Sequence, residues 1–291
     1  MFELVLQSLF SGLLASGYYA LIALGLALVF GTMRVINLAH GELVLLGAYI
    51  AYTAESQFGI NPLFAIPLTI VIVCTTSAAV YALVSRIRWD RELNSLILTF
   101  GIGIVLTNFV LIVWSPNIRS TSIAWFNGAI LIGDTLFTTN SQMLFFVVGL
   151  LLAAALWWWL TNTWHGRSLR AVASNRDAAV LMGVDPRTTE ILAFVVAGAM
   201  AGVAGTAIYV VAVIQPELGH NLTVKAFVIA VLAGMGSIPG VVLGAVLIGV
   251  AESLTVTLFS SALQELAGML LFLIVLLVRP TGLFGGRRRV A

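Results

Sequence analysis

The chain has 291 residues, of which 60% are hydrophobic and only 9% charged, with a formal net charge of +2 and a mean hydropathy of +1.09. A soluble globular domain is excluded, because a water-facing surface needs far more charge. No polar stretch is long enough for an independent domain of the usual ~50 residues or more, so any catalytic engine sits in the membrane or on another chain.

Hydrophobic runs of about 20 residues, the length an α-helix needs to cross a bilayer, recur along the whole chain. The alternating pattern of a membrane barrel is absent. The expected fold is all-α, a polytopic helical membrane protein in which residues 1–291 form one transmembrane domain. Spans are predicted at 8–30, 41–57, 62–85, 95–114, 142–162, 189–212, 224–236, 238–258 and 262–279. That makes eight or nine, depending on whether 30–57 and 224–258 cross fully or re-enter. No Lys or Arg precedes Arg34, so the first run lacks the basic region of a cleaved signal peptide and reads as a retained span. Cys74, the single cysteine, lies inside an apolar run; an internal disulfide or Cys-based metal site is impossible, and small core packing is its expected role.

Two places interrupt the apolar pattern. Phe30–Glu42 (FGTMRVINLAHGE) is too polar for lipid contact, and Gly234–Gly240 (GMGSIPG) divides a long apolar run. Backbone left unpaired by such breaks is tolerated at membrane depth only inside protein or facing water. Each break is followed by a further apolar run, Gly41–Ala54 and Val241–Ala251. This weak echo fits an internal repeat of the transporter kind, or merely the frequency of glycine in membrane helices.

His165–Arg187 (HGRSLRAVASNRDAAVLMGVDPR) holds four of the 14 Lys and Arg residues. Leu169, Val172, Val180, Leu181 and Met182 alternate with Arg167, Arg170, Arg176 and Asp177, while Ala171, Ala173, Ala178 and Ala179 favour helix. A short amphipathic helix is expected, stopped by Gly183, with Asp185-Pro186 starting the next span. It could dock in a groove on a partner or lie on anionic lipid.

If the N-terminus lies outside, Arg34, Arg86, Arg88, Arg91, Arg167, Arg170, Arg176, Arg187, Arg279, Arg287, Arg288 and Arg289 fall inside. Only Arg119 and Lys225 then lie outside or near the outer interface. This bias predicts N-out, C-in and an odd number of crossings. Trp157–Trp159 and Trp164 then mark the inner interface.

Ionisable residues at membrane depth are functional candidates. Asn37, His40 and Glu42 stand close together; they could cap broken helix ends, gate or touch a substrate, or relay protons. Gly234, Gly236, Ser237 and Pro239 could line a pathway, form a joint or allow a close helix crossing. Glu252 could face a cavity or pair with Lys225. No HEXXH pattern, phosphate loop or nucleophile–base pattern is present, so neither a metal nor a catalytic residue is assigned.

Tyr19–Phe30 (YALIALGLALVF), Val35–Tyr49 (VINLAHGELVLLGAY), Gly166–Gly183 (GRSLRAVASNRDAAVLMG), Lys225–Ser253 (KAFVIAVLAGMGSIPGVVLGAVLIGVAES) and Leu276–Gly285 (LLVRPTGLFG) together resemble the permease subunit of bacterial branched-chain amino acid ABC importers. The resemblance implies an inner-membrane permease that works with a homologous second permease, two cytoplasmic ATPases carrying ATP and Mg, and a periplasmic substrate-binding protein. It implies no cofactor in this chain and no nucleic-acid partner. It also implies that residues 163–188 form the loop that docks on the ATPase, with Gly166, Arg167, Arg170, Ala171, Asn175, Asp177, Ala178, Ala179, Met182 and Gly183 as coupling candidates. Ala-Ser-Asn-Arg-Asp-Ala-Ala stands where other importers have a Glu-Ala-Ala core, so the location carries over better than the individual contacts. Related permeases carry urea, short amides or other amino acids. From other classes, an ion-driven secondary transporter, an intramembrane enzyme and a homodimeric channel are the rivals; each would work without the polar docking segment.

Overall fold

The computed structural model describes residues 1–87, 89–133, 135–234, 236–279 and 281–284. Arg88, Gly285, Arg287, Arg288 and Arg289 lie outside the described residues.

Helix α1 (Phe2–Met33) ends at Arg34, whose left-handed backbone (φ 54) stops it. After an extended stretch, α2 (His40–Phe58) runs to Gly59, again left-handed. Helix α3 (Pro62–Val84) starts where the Asn61 side chain accepts the Leu63 N–H and Pro62 supplies a preset φ. Helix α4 (Arg91–Trp114) follows. A short helix α5 (Ala124–Asn127) and an antiparallel ribbon, β1 (Ala129–Ile132) with β2 (Leu136–Thr139), form the connection to α6 (Asn140–Asn162). This ribbon adds a small β element to the expected all-helical chain. Two short helices, α7 (Trp164–Ser174) and α8 (Arg176–Leu181), lead to α9 (Pro186–Val211), α10 (Leu218–Ala233), α11 (Ile238–Leu258) and α12 (Gln264–Val278).

Among the described residues seven helices are long and apolar enough to cross a membrane: α1, α3, α4, α6, α9, α11 and the run ending in α12. Helices α2 and α10 account for the other two expected spans, and both begin at mid-depth. One end of the bundle carries Arg34, Arg86, Arg91, Arg167, Arg170, Arg176, Arg187 and Arg279. We call it the basic end. Arg119 lies at the opposite end, its backbone paired with Ile214 and its guanidinium over the Tyr52 ring.

The bundle has a two-part order. Helix α1 descends to the basic end, 34–39 climbs back, α2 rises from mid-depth, α3 descends and α4 rises. In the second part every sense is reversed: α9 rises, 212–217 turns back inward, α10 descends from mid-depth, α11 rises and α12 descends. The reciprocal pairs α1 with α11 and α3 with α9 make the two most extensive helix contacts, as an inverted repeat requires. The starts of α3 and α11 also correspond: Asn61 with Pro62, Ser237 with Pro239. The second interruption thus falls at 212–217, upstream of Gly234–Gly240, which forms the turn between α10 and α11.

Helices α1 and α9 are the core, with 78% and 72% of their most apolar windows buried, against 17% for α4 and 6% for the last span. Cys74 packs α3 on α9, its Sγ donating to the Val195 carbonyl at 3.2 Å.

Candidate functional site

At mid-depth the starts of α2 and α10 meet. Asn37 is buried and its Oδ1 accepts the Ala39 N–H at 3.1 Å. The His40 ring Nε2 donates to the Ile22 carbonyl at 2.9 Å. Ile22 precedes Met33 by 11 residues, which puts the junction about 16 Å above the basic end of α1. The Gly41 N–H donates to Thr223 Oγ1 at 2.8 Å. A Cβ on Gly41 would overlap the Gly219 carbonyl, so only glycine lets the two helices approach this closely.

The Glu42 carboxylate lies against Gly219 in the first turn of α10, where a Cβ would overlap it. That turn has no side-chain cap, and its exposed N–H groups favour an anion. Glu42 is 5% exposed, and its Oε2 has no hydrogen-bond partner among the described residues. A cavity of about 250 Å³, lined by Glu42, Phe100, Ile104, Thr107, Asn108 and His220, opens beside it. A second, of about 130 Å³, is bordered by His220, Asn221, Lys225, Glu252, Glu265 and Met269. His220 belongs to both, so the cavities adjoin along α10, between α4 and α12.

Lys225 sits in this interior rather than at the outer interface where the charge pattern puts it. Its Nζ lies 2.9 Å from Glu252 Oε2 and donates to the Tyr19 hydroxyl at 2.9 Å. Tyr19 in turn donates to Glu252 at 2.6 Å, and Gln264 Nε2 at 3.2 Å. The lysine's half-buried position is electrostatically tolerable because the nearly buried Glu252 pairs it.

Gly234, Gly236, Ser237 and Pro239 sit apart from both cavities, at the basic end. Gly234 (φ 86) and Gly236 (φ 96) use backbone that favours glycine, Ser237 Oγ accepts the Gly240 N–H at 3.2 Å, and Pro239 lies in the first turn of α11. Gly236 rests on Gly31 and shares a 90 Å³ cavity with Arg170 and Ala173 of α7. The turn is therefore wedged between α1 and α7.

The amphipathic segment is two helices rather than one. Asn175 ends α7, and its Oδ1 accepts the Asp177 and Ala178 N–H groups to start α8. Leu169 and Val172 are buried, but Val180, Leu181 and Met182 are 50%, 87% and 83% exposed. Arg167, Arg170, Asn175, Asp177, Ala178, Met182 and Gly183 are on the surface, Ala171 is half-buried, and Gly166 and Ala179 are buried. Gly166 has the Leu160 carbonyl where a Cβ would be, and Arg170 donates to that same carbonyl. Gly183 (φ 80) stops α8, and Asp185 caps α9 ahead of Pro186. The Thr188 hydroxyl and the Arg187 and Thr188 amides hold the Asp185 carboxyl below the usual carboxylate range.

Glu190, not singled out by the sequence reading, is the anchor of this end. It is 2% exposed and takes Arg91 from α4 and Arg176 from α8. Tyr81 of α3 donates to its Oε2 at 3.3 Å. A lone acid just inside an apolar run was the available signal. Thr107, Asn108 and His220, equally overlooked, are polar residues beside or within such runs.

The family model described as branched-chain amino acid transport system / permease component matches residues 8–279. The chain belongs to that permease family. The high-affinity branched-chain amino acid transport system permease protein LivH of Salmonella typhimurium is 33% identical over 96% of this permease and 95% of its own length. The corresponding protein BraD of Pseudomonas aeruginosa is also 33% identical, over 96% and 95%. A probable LivH of Methanocaldococcus jannaschii is 28% identical over 93% and 89%. No solved structure matches the permease. A multi-pass membrane permease is what both the helices and the relatives describe.

Proposed function

We propose that this chain is an inner-membrane subunit of an ATP-driven importer of branched-chain and similar hydrophobic amino acids. A periplasmic binding protein delivers the substrate, a homologous second permease completes the membrane unit, and two cytoplasmic ATPases bind ATP and Mg. This chain needs no cofactor and performs no hydrolysis itself. The basic end faces the cytoplasm, so the N-terminus is outside and the C-terminus inside, in accord with the arginine bias.

The observation that carries this reading is the α7–α8 segment. It presents bare aliphatic side chains, Leu181 and Met182, on a polar surface beyond the bundle. Exposed side chains of this size on a projecting helix suit a groove on a partner. Behind them Arg176 is tied through Glu190 to Arg91 at the foot of α4, a helix that lines the larger cavity. A push on α8 therefore reaches α4 through an ion pair rather than a loose loop. Closure of the ATPases tilts α4 and α9 together, and the path opens alternately to each side.

The path follows the face of α2, α4, α10 and α12. Exposed Asn108, His220, Asn221 and Glu265 on that face are poor lipid contacts, and the second permease covers them. Glu42 and Glu252 line it; Asn37 and His40 hold the start of α2; Gly234, Gly236, Ser237 and Pro239 act as the joint beside α7. Reconstitution with the partner subunits in proteoliposomes tests this reading. Leucine uptake that needs internal or external ATP on the ATPase side and ignores ionophores supports it. Uptake by this chain alone, abolished by an ionophore, would establish a secondary transporter instead.

A further inference from the structure

Resting on the importer reading above, we infer that Glu42 receives the α-ammonium group of a zwitterionic amino acid in transit, while the substrate's apolar side chain lies against Phe100 and Ile104. The argument starts from the bare oxygen. Glu42 Oε2 is buried and unpartnered among the described residues, and an unsatisfied buried carboxylate oxygen is costly unless a donor arrives. Of the nearby side-chain donors, Thr107 Oγ1 reaches both the Glu42 carboxyl and the Gly103 carbonyl, and His40 is committed to Ile22; neither is a lysine or an arginine. The two other acids buried in this bundle, Glu190 and Glu252, each have a cation within 3.1 Å, whereas Glu42 has none among the described residues.

The space fits the same guest. A cavity of about 250 Å³ is several times the roughly 30 Å³ that one water occupies in the liquid. Phe100 and Ile104 line the same cavity, so an ammonium and an aliphatic group are accommodated in one space. The exposed Asn108 and His220 side chains line the same cavity and can hydrogen-bond the substrate carboxylate. One charged contact in a cavity open on its outer side holds a substrate weakly, which permits release. It also discriminates, since urea and simple amides bring no positive charge to Glu42.

Two variants of the whole transporter in proteoliposomes test the assignment, with ATP hydrolysis stimulated by the binding protein as the measure of assembly and coupling. Glu42→Gln keeps the shape and removes the charge. It is expected to lower leucine uptake about tenfold or more, as loss of a charge-assisted contact would, with stimulated hydrolysis retained. Ile104→Trp, at a half-exposed position, fills the cavity while keeping the carboxylate and should have the same effect. Leucine uptake at the wild-type rate in either variant overturns the inference. If Glu42→Gln fails to assemble, Ile104→Trp decides alone. Failure of the importer reading looks different: the wild-type complex itself would take up no leucine.

Discussion

Arg91 closes both of its terminal nitrogens on the Glu190 carboxylate, Nη1 to Oε1 at 3.1 Å and Nη2 to Oε2 at 2.8 Å. Bidentate pairs of this kind are directional as well as strong. With Arg176 on the same carboxylate at 3.1 Å, α4, α8 and α9 share one charge. Glu190→Gln is expected to destabilise the permease. Losing one partner of a fully buried pair costs about 3–5 kcal/mol; both arginines reach solvent, so about 2 kcal/mol is expected here. The variant should also lose binding-protein stimulation of ATP hydrolysis. Thermal unfolding in detergent measures the first effect and an ATPase assay the second; a variant that is destabilised but fully coupled would remove Glu190 from the relay.

Leu181 and Met182 should matter for assembly and little for the fold, because neither is packed. Met182→Asp is expected to leave the unfolding temperature within a degree or two, as surface substitutions do, while co-purification of the ATPases falls sharply. Arg170, Asp177 and Ala178 belong to the same surface, and their disruption should abolish transport while leaving binding-protein affinity intact. Normal ATPase recovery with Met182→Asp would move the docking surface elsewhere.

Lys225 and Glu252 should behave as a pair. Lys225→Met and Glu252→Gln each strand a partner at mid-depth, at a cost of about 3–5 kcal/mol. The double variant should be more stable than the sum of the single losses implies. A double-mutant cycle on unfolding gives the coupling directly, and strict additivity would mean that the pair contributes nothing.

Gly41→Ala should damage the junction of α2 and α10, since the added methyl meets the Gly219 backbone, which cannot move aside as a flexible side chain could. Gly101→Ala is the control: nothing lies within 4 Å of its Cβ position. A large drop in folded yield for the first and little change for the second is expected in fluorescence-detected gel filtration. Equal yields would show the junction to be looser than drawn.

Much of this was readable beforehand. The helix punctuation at Asn61-Pro62, Gly183 and Asp185-Pro186 acts locally, through turn and cap chemistry, and is correspondingly visible in the sequence. The Lys225–Glu252 pair was visible as two opposite charges on neighbouring spans. The inverted order was not, because the extended stretch 212–217 carries no glycine signal like that of Gly234–Gly240; what identifies it is the meeting of Gly41 with Gly219, a tertiary contact. Likewise α7–α8 reads as one helix by composition, and only the double cap by Asn175 divides it. Glu190 and His220 were overlooked because what surrounds them comes from other helices: Arg91 of α4, Tyr81 of α3 and Arg176 of α8 for the first, the flanking α4 and α12 for the second.

The central claim is that this permease moves branched-chain amino acids for an ATP-driven importer. Its most direct test is uptake of radiolabelled leucine and urea by cells carrying the whole transporter, with this gene intact or deleted. Loss of leucine uptake with urea uptake unchanged is the predicted result. Leucine uptake that survives deletion would contradict the claim, and loss of urea uptake alone would keep the machine but replace its substrate.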